Sequence, residues 1–74
     1  MENLKSGILV QVHGFVMLKG LNQGIYKVLY QDEISYTFAK RNSKKPICRH
    51  YKNSVNGMVK SFADGNNNGI QILN

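Results

Sequence analysis

The sequence predicts a mainly β chain: five short antiparallel strands curled into a small barrel, with one short helix before the last strand. Three observations lead there. Apolar and polar residues alternate over several short runs. The breaks between those runs are brief and rich in Gly, Asn, Asp and Ser, which makes consecutive strands hairpin neighbours. One late segment switches to the i, i+3, i+4, i+7 spacing of a helix. Five short strands in 74 residues cannot cover both faces of an open sheet. Curling closes a core and removes edges. The alternative is an α+β sheet with one packed helix.

In chain order, Ile8, Val10 and Val12 alternate with Leu9, Gln11 and His13. Gly14 interrupts, and Phe15 to Leu18 continue the strand or end it at a bulge. Residues 19–24 are turn chemistry, with Gly20 and Gly24 able to take positive φ. Gly24 to Gln31 is the strongest strand, with Ile25 to Tyr30 rich in β-branched and aromatic residues. Its alternation sets Tyr26, Val28 and Tyr30 on one face. After Asp32 and Glu33, Ile34, Tyr36 and Phe38 line one face of the next strand. Ser35, Thr37 and Ala39 line the other, which suits a face covered closely or left wet.

Residues 41–45 read as a polar hairpin tip. Pro46 has no N–H to donate, so it belongs at the start of a strand or on an edge. Ile47, Arg49 and Tyr51 then share one face, Cys48 and His50 the other. Val55, Met58, Val59 and Phe62 form the helical stripe. Asn53 or Ser54 is the expected N-cap and Gly65 a left-handed C-cap. Ile70 to Leu73 make the last strand. Residues 1–6 are expected to be a flexible N-terminus, and residues 7–74 a single small domain.

This order resembles the SH3-like small barrels, in which a short helical turn precedes the final strand. The stretch Lys19-Gly20-Leu21-Asn22-Gln23-Gly24-Ile25-Tyr26-Lys27-Val28 is similar to the glycine-containing turn of KOW-type domains. Those domains are SH3-like and often bind RNA, so the resemblance implies a barrel and a nucleic-acid partner.

Charge is concentrated in one place. The thirteen residues 40–52 hold six of the ten basic residues and no acid; the remainder is formally neutral, so the whole +6 resides there. Such a patch is the electrostatic footprint of a polyanion partner. Lys40, Arg41, Lys44 and Lys45 cluster at the tip. Arg49 and Tyr51 share a strand face and combine phosphate contact with stacking, as single-stranded nucleic acids require. His50 and Lys52 complete the candidate set. A charged, solvated hairpin that protects an edge strand is the plainer reading of the same residues.

Other chemistries find little support. Glu2, Asp32, Glu33 and Asp64 do not form a catalytic pair. Cys48, His50 and His13 lack the Cys-x-x-Cys spacing of structural zinc, so neither a metal nor a cofactor is expected. The single cysteine fits a reducing compartment, and neither a secretory signal nor a membrane-spanning run is evident. The expectation is a cytoplasmic, non-enzymatic binding protein whose partner is DNA or RNA, single-stranded by preference. The alternative is an interaction module that docks its basic hairpin on an acidic protein surface as a regulator, inhibitor or assembly component. Small basic single-domain chains of this kind are associated with phages and mobile elements. So short a chain has a thin core, so self-association or a bound partner would add stability.

Overall fold

The computed structural model describes residues 4–73. The alternating runs form β1 (Leu9–His13), β2 (Gly24–Gln31), β3 (Ser35–Lys40), β4 (Pro46–Tyr51) and β5 (Gly69–Ile72), and the helical stripe forms α1 (Lys52–Ala63). All neighbours are antiparallel, in one sheet of order β4-β3-β2-β1-β5. The chain is mainly β, with its helix before the last strand. Among the described residues no ladder joins β4 to β5, so the sheet is open rather than a closed barrel. Of the two architectures the sequence allows, this is the sheet with a packed helix. The physical reason is the length of α1. Twelve residues make a rod of about 18 Å, and it packs mainly on β5 while touching β4 and β3.

The core forms on one face of the curved sheet. Val10, Val12, Val28, Tyr36, Phe38 and Ile70 are buried there with Val55 of α1 and with Val16 and Leu21 of the β1–β2 loop. Each such apolar side chain contributes about 1.5–3 kcal/mol by leaving water. Tyr36 keeps its hydroxyl satisfied: it accepts from Leu4 N–H at 3.0 Å and donates to Asn56 Oδ1 at 3.2 Å. Leu4 is itself buried, and its carbonyl accepts from Gln31 Nε2 at 2.7 Å. Of the N-terminal segment expected to be flexible, Leu4 is held by these contacts, and residues 1–3 lie outside the described residues. β1 stops at His13, and residues 15–18 form a loop instead of more strand.

The ends of α1 differ from each other. Its N-cap is Tyr51, with no side-chain cap bond, not Asn53 or Ser54. Lys52 N–H donates to Ile34 O at 2.8 Å, so a backbone carbonyl at the entry of β3 replaces the expected side-chain cap. The C-terminus follows the sequence reading. Gly65 has φ of 100°, its N–H reaches Phe62 O, and Asn66 N–H reaches Ser61 O. That pairing is a Schellman motif. Beyond it, Gly69 lets β5 approach the helix: a Cβ there would lie 2.7 Å from Met58 O and 2.8 Å from Phe62 Cβ.

Candidate nucleic-acid interface

β4 is an edge strand, and the turn that feeds it carries the basic cluster. Ser43 N–H donates to Lys40 O, and Lys45 N–H donates to Ser43 Oγ, both at 3.0 Å. These two bonds hold the tip with Lys40, Arg41, Lys44 and Lys45 all exposed. Among the described residues none of the four has an ion-pair partner. Pro46 opens β4, where its missing N–H costs least. Ile47 is the extra residue of a register shift, since Phe38 pairs with Cys48 and Ala39 with Pro46.

The other sequence-predicted residues lie further along β4, up to about 17 Å from Pro46 at the usual rise per residue. Arg49 and His50 already have donors engaged. Arg49 Nε donates to Ser35 Oγ at 2.6 Å, and its Nη2 to Asp32 Oδ2 at 3.1 Å. Asp32 in turn accepts from the backbone N–H groups of Ile34 and Ser35, both at 2.9 Å. Those bonds hold its carboxyl below the ordinary value. The Ile34 amide is the leading cause, Ser35 and Arg49 add to it, and partial desolvation opposes them. Arg49 therefore meets any anion as a compensated charge rather than a free one.

His50 lies on the opposite strand face, and its Nε2–H donates to Lys19 O at 2.7 Å. Lys52 places its ammonium 5.3 Å from the centre of the Tyr36 ring, a cation–π contact. Tyr51 is 65% exposed. It stands with Ile34 between two open clefts. One, of about 300 Å³, is lined by Ser35, Arg49, His50 and Ser54. The other, of about 790 Å³, is lined by Lys52, Asn53, Asn56 and Gly57. The predicted set thus divides into four free cations at the tip and Arg49, His50, Tyr51 and Lys52 at the far end of the strand.

Two residues of this surface stand where the sequence reading does not place them. Tyr30 is one. The register of β2 on β3 shifts between Val28 and Tyr30, so Val28 opposes Phe38 while Tyr30 opposes Thr37. A bulge thereby turns Tyr30 away from the core, where simple alternation would send it with Val28; it is 53% exposed. Nothing in the local sequence marks the bulge. Lys27 is the other. It opposes Ala39 and adds a cation to the outer face near the tip. A signal for the Asp32 contacts does exist: Asp followed by an amide donor two residues on is an Asx turn.

Cys48 is half-buried, and burial raises its thiol pKa. It packs under Gly20, whose Cβ position is 3.0 Å from its own. Among the described residues no three His, Cys, Asp or Glu side chains gather to hold a metal ion, and no helix is long and apolar enough to cross a membrane. Comparison finds no matching family model, no matching curated protein and no matching solved structure.

Proposed function

We propose that this chain is a non-enzymatic nucleic-acid-binding module that grips the polyanion backbone with its basic hairpin. The observation that carries this reading is the turn between β3 and β4, where four cations crowd together without an ion-pair partner among the described residues. Mutual repulsion among like charges disfavours such a cluster, and phosphates relieve it. Its position beside an edge strand leaves a nucleic-acid strand free to approach. Lys40, Arg41, Lys44 and Lys45 take the phosphates, with Lys27 as an addition. Arg49 contributes field more than contact, because its guanidinium is tied to Ser35 and Asp32, and Lys52 leans on the Tyr36 ring. DNA and RNA both fit, single strands better than duplex, since α1 has no basic face to enter a groove. The SH3-like plan belongs to this proposal and is supported by the meander of β1 to β4, with a helix before β5 and β5 returning to pair with β1.

The test is salt dependence. With about four phosphates engaged, log affinity against log salt falls with a slope of roughly −3 to −4. Lys44→Glu/Lys45→Glu should reduce the affinity and the slope together. Absence of binding to single strands or duplex at about 50 mM salt, where phosphate contacts are strong, would overturn the reading.

A second reading, docking on an acidic protein surface, is favoured by the loop after β1. Phe15 and Met17 are 74% and 82% exposed, while Val16 and Leu21 anchor the same loop in the core. Met17 has φ of 55°, a left-handed conformation that costs a non-glycine residue about 1–2 kcal/mol. A strained loop presenting two large apolar side chains beside Lys19 is suited to protein contact. Phe15→Ala/Met17→Ala should leave nucleic-acid affinity unchanged under the first reading.

A further inference from the structure

The outer face of the sheet carries an arrangement that backbone binding leaves unused. Tyr30 opposes Thr37, Thr37 opposes Arg49, and Ser35 opposes Tyr51. Direct cross-strand partners share a face, so these five residues form one patch. Its floor is small and covered: Ser35 and Thr37 are buried. Its corners are Tyr30, Arg49 and Tyr51. At the usual strand spacing and rise, Tyr30 and Tyr51 stand about 12 Å apart, and Arg49 is about 7 Å from Tyr51 and about 10 Å from Tyr30.

The two rings are exposed for different reasons. Tyr30 is turned out by the bulge at Leu29, and Tyr51 ends an edge strand. Arg49 is neither free nor buried. Two of its donors are tied to Ser35 and Asp32, which fixes the guanidinium plane while the bulk of the side chain remains in solvent. A compensated, oriented guanidinium is a weak phosphate ligand but a good stacking surface. Phosphate gripping thus has its residues at the tip, and planar surfaces gather at the other end of the same strand.

We propose that Tyr30, Arg49 and Tyr51 form a stacking platform for the unpaired bases of a single-stranded nucleic acid. The platform rests on the reading that the basic tip holds the backbone, and it adds what that reading lacks, a contact that distinguishes single strands from other polyanions. Duplex is excluded from it because paired bases present no free faces. The cleft beyond Tyr51, lined by Arg49, His50 and Ser54, receives the edge of a base stacked on that ring.

The experiment compares four probes: a pyrimidine DNA oligonucleotide, the RNA of the same sequence, the corresponding DNA duplex, and heparin, which has charge without bases. The proteins are wild type, Tyr30→Ala, Tyr51→Ala, the two Tyr→Phe variants and Lys44→Glu/Lys45→Glu, each checked for an unchanged thermal transition. Both side chains are exposed, so the alanine variants are expected to fold. Each alanine variant should lose about 5- to 150-fold in affinity for single strands, keep its salt slope, and bind heparin as wild type does. Phenylalanine should restore stacking. The chain has four tyrosines and no tryptophan, so quenching of tyrosine emission on binding reports the platform directly.

Alanine variants that bind single strands within twofold of wild type, or that lose heparin in equal measure, would overturn the platform and leave the backbone reading standing. Full affinity in Lys44→Glu/Lys45→Glu with loss in the alanine variants would do the reverse. No binding by wild type to any single strand would remove both. Equal losses on DNA and RNA support contacts to bases alone; a loss confined to RNA adds the 2′-hydroxyl as a further contact.

Discussion

β3 and β4 lie side by side, have six residues each and share one turn, yet their surroundings are opposite. Five consecutive residues of β3, Ser35 to Ala39, are buried, although they alternate between the two faces of the sheet. Tyr36 and Phe38 point into the core. Ser35, Thr37 and Ala39 are small enough to be covered by side chains of the neighbouring strands. β4 is exposed or half-exposed at every position, and it is where all the candidate contacts on an edge strand lie. The contrast teaches a division of labour. One strand supplies rigidity and a low floor, and the next stands on it and reaches out. Small residues on the outer face of β3 let Tyr30 and Tyr51 rise above a surface that larger residues would level.

The largest break in that contrast should come from the core side of β3. Phe38→Ala removes a fully buried ring and costs about 3–5 kcal/mol. A domain of this size has about 3–5 kcal/mol net from its core, so the variant should be largely unfolded at 25 °C by circular dichroism. A smaller break comes from the outer side. Ala39 is completely covered, and Ala39→Leu should cost about 1–3 kcal/mol by overpacking, seen as a lower urea midpoint with an unchanged slope. If that variant were neutral, the outer face of β3 would have room that its burial denies.

The smallest effect sharpens the link between the two strands' surroundings, the bond that Arg49 donates to Asp32. The folded carboxyl is depressed, so its stabilisation is present in full above the ordinary value of 3.8 and is lost as pH falls through the lower folded value. Urea midpoints taken between about pH 6 and pH 2 should fall on the acid side in wild type. Asp32→Asn should be less stable at neutral pH and lose part of that acid-side decline. An identical decline in both proteins would show that other carboxyls carry it.

Much of the fold is legible because local and global signals agree. Period-two runs became strands, Val55, Met58, Val59 and Phe62 became the inner stripe of α1, and Gly65 terminates it through a motif that needs only the local chain. The exceptions share a cause: each depends on residues far apart in sequence. Leu4 is buried because Tyr36 and Gln31 meet its backbone. The cap of α1 comes from Ile34 O, eighteen positions before Lys52. Arg49 is compensated by Asp32, seventeen positions away. Tyr30 depends on a bulge that becomes defined only when β2 is laid against β3. The tip of the candidate site was therefore readable from composition, while the state of Arg49 and the membership of Tyr30 were not.

Tyr51 is at once the last residue of β4 and the N-cap of α1, with no linker between them. The joint is locked by the bond from Lys52 N–H to Ile34 O, which ties the first turn of the helix to the entry of β3. A load applied to the Tyr51 ring is therefore borne at a hinge pin rather than at a loose strap. Its force divides between the sheet edge and the helix axis, and through the helix reaches β5 on the far side of the molecule. What touches that ring presses on both edges of the open sheet together.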